Sequence, residues 1–126
     1  WDNFTNWVLA AMPDTIPAFR GELRKTQLTE AMYDSQILGE LGNSVPFTIG
    51  ESAAIIRDLL TKQPEGQDGM LLTNGHANIF YVKLDDGRVV AVRVYWSSVG
   101  RGWYCGARGL VGSDRWSDGR CVFSRS

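Results

Sequence analysis

Ile79-Phe80-Tyr81-Val82-Lys83-Leu84-Asp85-Asp86-Gly87-Arg88-Val89-Val90-Ala91-Val92-Arg93-Val94-Tyr95 is the stretch that decides the fold class. Two runs rich in Val, Ile, Tyr and Phe flank Asp85-Asp86-Gly87, and such residues favour the pleated, half-buried setting of a strand. Strands are expected over residues 79–84 and 88–95. Asp86-Gly87 is a hairpin signal, because a type I′ turn needs positive φ at both central residues. Beyond it follow a turn-like stretch at 97–102, a strand at 103–108, a Gly-rich loop at 109–119 and a last strand at 120–124.

Upstream the period changes from two to that of a helix. From Thr26, the residues Leu28, Ala31, Met32, Leu38 and Leu41 recur at threes and fours, and Gly42 stands where a C-terminal cap belongs. A second helix is expected after Pro46-Phe47: Thr48 and Glu51 have capping-box spacing, and Ala53, Ile56 and Leu60 line one face as far as Lys62. Pro64 and Gly66 end it. Residues 1–19 carry Pro13 and Pro17, which stop any long helix there. The expected architecture is α+β, two helices followed by an antiparallel β-meander.

At 126 residues the chain fits one domain, with apolar and charged fractions of 44% and 21% close to the globular average. No apolar run reaches the roughly 18 residues of a spanning helix. The net charge of -1 hides a split: residues 1–70 carry ten acidic and five basic side chains, residues 71–126 four and eight. That excess is thin for a nucleic-acid footprint, so nucleic acid is not the expected partner.

Catalytic signatures are missing. One His and two Cys sixteen positions apart offer no zinc spacing, and His76 sits in a turn-like Asn74-Gly75-His76. There is no nucleophile elbow and no phosphate loop, and the turn accounts for the adjacent Asp85 and Asp86. No enzyme, metal or cofactor is expected. Cys105 and Cys121 stand as either a disulfide or two free thiols.

The most informative feature is a depletion. Residues 84–126 contain no Lys, Glu, Gln or Met, whereas the first 83 residues contain fifteen of them. Strands and tight turns disfavour some of these residue types, which accounts for part of the bias. Codons account for the rest. An Asn codon ending in a pyrimidine, randomised at its two adenines, never encodes Lys, Glu, Gln, Met or Trp. Apart from Trp103 and Trp116, every residue from Ser97 onward belongs to the permitted set. With Trp96, those tryptophans read as fixed anchors between variable positions.

With Tyr95-Trp96, Trp103, Ala107 and the ending Trp116-Ser117-Asp118-Gly119-Arg120-Cys121-Val122-Phe123-Ser124-Arg125, the chain resembles the variable proteins of diversity-generating retroelements, of the archaeal or small-genome microbial type. The likeness covers the last third to half of the chain. It implies a C-type lectin-like fold with a variable region at about residues 92–121, displaying a binding surface rewritten by adenine-directed mutagenesis. The calcium-binding triplets of ordinary C-type lectins are missing, so calcium-dependent sugar binding is not implied. The display positions expected from codon logic and strand alternation are Tyr95, Ser97, Ser98, Gly100, Arg101, Gly102, Tyr104, Gly106, Arg108, Ser113, Asp114, Arg115, Ser117, Asp118, Arg120 and Cys121. Trp103, Cys105 and Ala107 alternate onto the opposite, core face. The expected partner is a macromolecule, a protein before a nucleic acid, met at the cell surface or outside the cell. The alternative reading is a pilin-like structural subunit with a C-terminal disulfide loop.

Overall fold

The computed structural model describes residues 22–110 and 115–125. Its elements, in order, are β1 (Leu23–Gln27), β2 (Met32–Tyr33), α1 (Asp34–Leu41), β3 (Phe47–Thr48), α2 (Ile49–Lys62), β4 (Asn78–Lys83), β5 (Val89–Ser97), β6 (Gly102–Gly109), β7 (Arg115–Trp116) and β8 (Cys121–Arg125). The main sheet runs β1-β8-β4-β5-β6, with β3 beside the far end of β4, and β2 and β7 form a separate two-stranded ribbon. The architecture is mixed α+β with a mostly antiparallel sheet. Among the described residues no helix is long and apolar enough to cross a membrane.

The hairpin β4–β5 is the centre, with Phe80 opposite Val92 and Val82 opposite Val90. Its turn differs from expectation. Among the described non-glycine residues only Arg101 has positive φ, so Asp86 does not. Within this turn Gly87 alone is left-handed, at φ 90. Gly87 donates its N–H to Leu84 at 2.9 Å and Leu84 donates to Arg88 at 2.7 Å, the pattern of a three-residue loop closed by a left-handed glycine. The Asp86 side chain holds this loop by accepting from the Arg88 backbone N–H at 3.0 Å and its Nε at 2.7 Å. Those bonds lower the Asp86 pKa below its ordinary value.

The two faces of the sheet bury different elements. Phe80, Val82, Val90, Val92, Val94, Ala107 and Phe123 pack with Ile55, Ile56 and Leu59 of α2. On the opposite face Ile79, Tyr81, Ala91 and Val122 pack with Ile37 of α1, Met32 of β2 and Trp116 of β7. Helix α2 starts on a complete capping box: Thr48 Oγ1 accepts from the Glu51 N–H at 3.1 Å, and Glu51 Oε1 accepts from the Thr48 N–H at 2.9 Å. Glu51 also accepts from Arg125 of β8 at 2.7 Å, tying the helix start to the last strand. Partial burial acts to raise the Glu51 pKa, but the Thr48 bonds and the Arg125 guanidinium outweigh it and lower the pKa.

The first helix is shorter than the spacing predicts. Residues 23–27 are strand, in register with Cys121–Arg125. Past β1, Leu28 still donates to Arg120 at 2.8 Å and accepts from Gly119 at 2.9 Å. Their backbone groups are therefore committed to the sheet, and Leu28 and Met32 reach the core from extended chain. Helix α1 begins at Asp34, where the Gln36 side chain accepts from the Tyr33 N–H at 2.8 Å, and it ends on Gly42 as the sequence suggests. The meander also closes differently: β8 crosses back between β1 and β4, parallel to β4. The proline-rich segment 1–19 lies outside the described residues.

Candidate binding surface

Strands β5 and β6 pair Val92 with Ala107, Val94 with Cys105, Tyr95 with Tyr104 and Trp96 with Trp103. Alternation sends Trp103, Cys105 and Ala107 toward the α2 core, where Ala107 is buried and the other two are partly buried. The Trp96 and Trp103 rings meet edge-on at 5.4 Å, and Trp103 Nε1 donates to the Gln63 carbonyl at 2.6 Å. Gln63 is 2% exposed and is itself tied to the loop after α2, donating from Nε2 to the Gln67 and Leu71 carbonyls and accepting from the Leu71 N–H. Gly66 runs directly beneath Trp96, so close that a Cβ there would overlap the indole, and its φ is 70. The two tryptophans thus rest on a cross-linked loop.

The opposite face carries Arg93, Tyr95, Tyr104 and Arg108. The Tyr95 and Tyr104 rings stack at 5.7 Å, and the Arg93 guanidinium lies 4.8 Å over the Tyr95 ring. Beside them is a cleft of about 280 Å³ lined by Arg93, Tyr95, Arg115, Trp116, Ser117 and Arg120, together with Gly75 and Ala77. Trp116 forms a buried wall and is fixed from beneath. The Asp34 carboxylate, 3% exposed, accepts from Tyr81 Oη at 2.6 Å, Trp116 Nε1 at 2.9 Å and Arg108 at 3.0 Å. Burial, with the bond to Asp34, raises the Tyr81 pKa, so the phenol remains a donor. The Arg108 guanidinium also sits 4.8 Å over the Trp116 ring.

The positions expected on the display surface divide. Tyr95, Arg115, Ser117 and Arg120 share the cleft, and Tyr104 stacks against it. Ser97, Ser98, Gly100, Arg101 and Gly102 form the adjoining turn, where Ser97 Oγ accepts from the Gly100 N–H at 3.1 Å and Arg101 takes φ 52. Asp118 is exposed. Three positions are buried and not displayed. Cys121 is 0% exposed on the α2 side, because β8 lies inside the sheet and not at its edge. Gly106 is buried opposite Arg93, and the Arg108 side chain is only 15% exposed and bound to Asp34. Ser113 and Asp114 lie outside the described residues.

Two residues of this surface are not among the expected display positions. Arg93 lies two positions before Tyr95 on β5, so alternation alone puts it on the same face. Val99 is 95% exposed at the tip of the turn, an apolar residue where polar ones are usual.

Cys105 and Cys121 are free thiols. Cys105 pairs with Val94, Val94 with Asn78, and Asn78 with Cys121, so they sit in one row three strands apart. At about 4.8 Å per strand that is roughly 14 Å, twice the reach of a disulfide. Burial raises the Cys105 pKa from 9.0 to about 11. It raises the Cys121 pKa too, Lys25 opposing it. No family model matches the sequence, and no curated protein or solved structure does.

Proposed function

We propose that the protein is a binding module whose ligand docks on the surface centred on Tyr95, Tyr104 and the adjoining cleft. More particularly, the proposed identity is a variable protein of a diversity-generating retroelement, with a C-type lectin-like fold and a protein ligand met at the cell surface or outside the cell. The observation that carries this reading is a convergence. Residues with permitted codons from three stretches, Tyr95, Tyr104, and Arg115, Ser117 and Arg120, gather on one face, while Trp103 and Trp116, which those codons bar, are held by hydrogen bonds to Gln63 and Asp34.

The chemistry suits recognition. Tyrosine gives a large rigid contact area at low entropic cost, arginine gives hot-spot contacts, and Ser and Gly adapt around them. The α+β class, with both α-helices ahead of the β4–β5–β6 hairpins, supports the reading at that coarse level. The separation of Cys105 and Cys121 counts against the disulfide loop of the pilin-like alternative.

A display library tests the proposal. Tyr95, Ser97, Ser98, Arg101, Tyr104, Arg115, Ser117 and Arg120 are randomised with pyrimidine-ending codons and panned against several unrelated folded proteins. Expected are clones with different target specificities and melting temperatures near that of the parent. A library that folds but yields no binder to any target contradicts the proposal, as does one in which most clones are unfolded.

A further inference from the structure

Resting on that reading of the surface, we infer that Gly100 is a positioning residue for the ligand and acts through Tyr104. With no side chain at position 100, the Tyr104 ring lies against the turn and stacks on Tyr95. A side chain at position 100 turns the ring out of that place. A Cβ built on Gly100 would overlap Tyr104 Oη and come within 3.2 Å of the ring carbons Cε2 and Cζ. Side chain and ring therefore exclude each other, and one of them has to give way.

The ring is the part that yields. Gly100 has no positive φ, so its backbone does not itself call for glycine. The turn around it is pinned: Ser97 pairs with Gly102 across the hairpin, and Ser97 Oγ accepts from the Gly100 N–H at 3.1 Å. Arg101 already holds φ 52, a conformation that non-glycine residues keep only where their surroundings fix the backbone. Tyr104, by contrast, is 46% exposed and can swing into another staggered rotamer about χ1. Substitution at position 100 thus moves a surface ring and leaves the fold intact.

The consequence falls on recognition. Tyr104 stands opposite Tyr95 across β5 and β6, and their rings stack at 5.7 Å with 21° between planes. Together they form one aromatic platform, the kind of rigid contact area that carries binding energy. Turning Tyr104 out divides that platform and sends half of it elsewhere. Gly102 is also an expected display position and shows the contrast. The nearest atom to a Cβ there is the Gly100 carbonyl oxygen at 3.9 Å, so Gly102 accepts a side chain without touching the ring. Of the residues that a randomised Asn codon can encode, glycine alone lacks a Cβ. Positions 100 and 104 are therefore coupled: the residue at 100 sets where a tyrosine at 104 is shown.

The test is NMR of the intact protein as parent, G100A, G102A and the double variant G100A/Y104F. Nuclear Overhauser effects are read between the Tyr95 ring and the ring at position 104. The parent and G102A are expected to show them, and G100A is expected to lose them with a melting temperature near that of the parent. G100A/Y104F is expected to regain them, because Y104F removes the oxygen that a Cβ would overlap. In a binder from the display library that keeps Gly100 and Tyr104, G100A is expected to lower affinity about tenfold, the scale of one hot-spot contact.

Ring contacts that persist in G100A overturn the inference, as does their loss in G102A or their continued loss in G100A/Y104F. An unfolded or strongly destabilised G100A also overturns it, since the turn and not the ring has then yielded. A binder indifferent to G100A does the same. The ring measurements need no ligand, so their failure removes this inference alone, whereas a library without binders removes the reading on which it rests.

Discussion

Replacing Asp34 by Ala removes the acceptor shared by Tyr81, Trp116 and Arg108. Tyr81 is 0% exposed and Trp116 7%, so both donors are left buried without this acceptor, at about 1–3 kcal/mol for each unmet group. The Arg108 head can turn toward water, so the loss of its ion pair adds little to the cost of the two donors. Loss of a negative charge in the first turn of α1 adds about 0.3–1 kcal/mol. The expected total is about 4 kcal/mol, a large part of the roughly 5–15 kcal/mol of a folded domain. For a chain of this size the melting temperature falls by roughly 10–20 °C.

Urea unfolding followed by tryptophan fluorescence gives the free energy directly, with an unchanged slope showing that the variant unfolds from the same compact state. Asp34→Asn is the companion, because its oxygen still accepts from Tyr81 and Trp116 while its NH2 faces Arg108. It is expected to cost about 1–3 kcal/mol. A loss below about 1 kcal/mol in D34A refutes the claim that this carboxylate holds the floor of the cleft.

The other predictions concern single features. With its pKa at about 11, Cys105 has about a hundredfold less thiolate than a thiol of pKa 9.0. Alkylation in the native state should therefore be slow at both cysteines, and denaturant should release two thiols without reductant; a bridged pair refutes the strand order. Gly39 is exposed within α1 with open space where a Cβ would stand, so G39A should stabilise by about 0.5–1 kcal/mol. G66A meets the Trp96 indole at positive φ and should destabilise by about 2–3 kcal/mol, both read by thermal melts. The lowered Glu51 pKa gives stability that is present above the ordinary carboxyl pKa of 4.5 and is lost as pH falls through the folded value. E51Q should therefore flatten the acid limb of stability against pH, and an identical limb in both proteins contradicts the Arg125 contact.

What could be read from residues alone was local. The β4–β5 hairpin and the Thr48–Glu51 capping box rest on neighbours a few positions apart, and both formed where the sequence placed them. Leu28 and Met32 misled because burial, not helicity, explains their spacing, and their strand partners lie about ninety positions away at residues 115–121. The turn after Lys83 was read from a dipeptide, whereas its type depends on the φ of Asp86, which composition does not determine. On β6, alternation separated Tyr104 from Trp103 and Cys105 correctly. It failed at Cys121, whose exposure depends on β8 entering the sheet between β1 and β4. Asp34 carries no local signal at all, since its importance comes from three donors brought in from β4, β6 and β7.

The most direct test is to sequence the DNA beside the gene. A reverse-transcriptase gene and a near-copy of the segment encoding residues 92–121 are predicted, with mismatches falling almost only where the copy has adenine and concentrating at Tyr95, Tyr104, Arg115 and Arg120 while sparing Trp96, Trp103 and Trp116. Absence of the copy, or mismatches spread evenly over all four bases, contradicts the account.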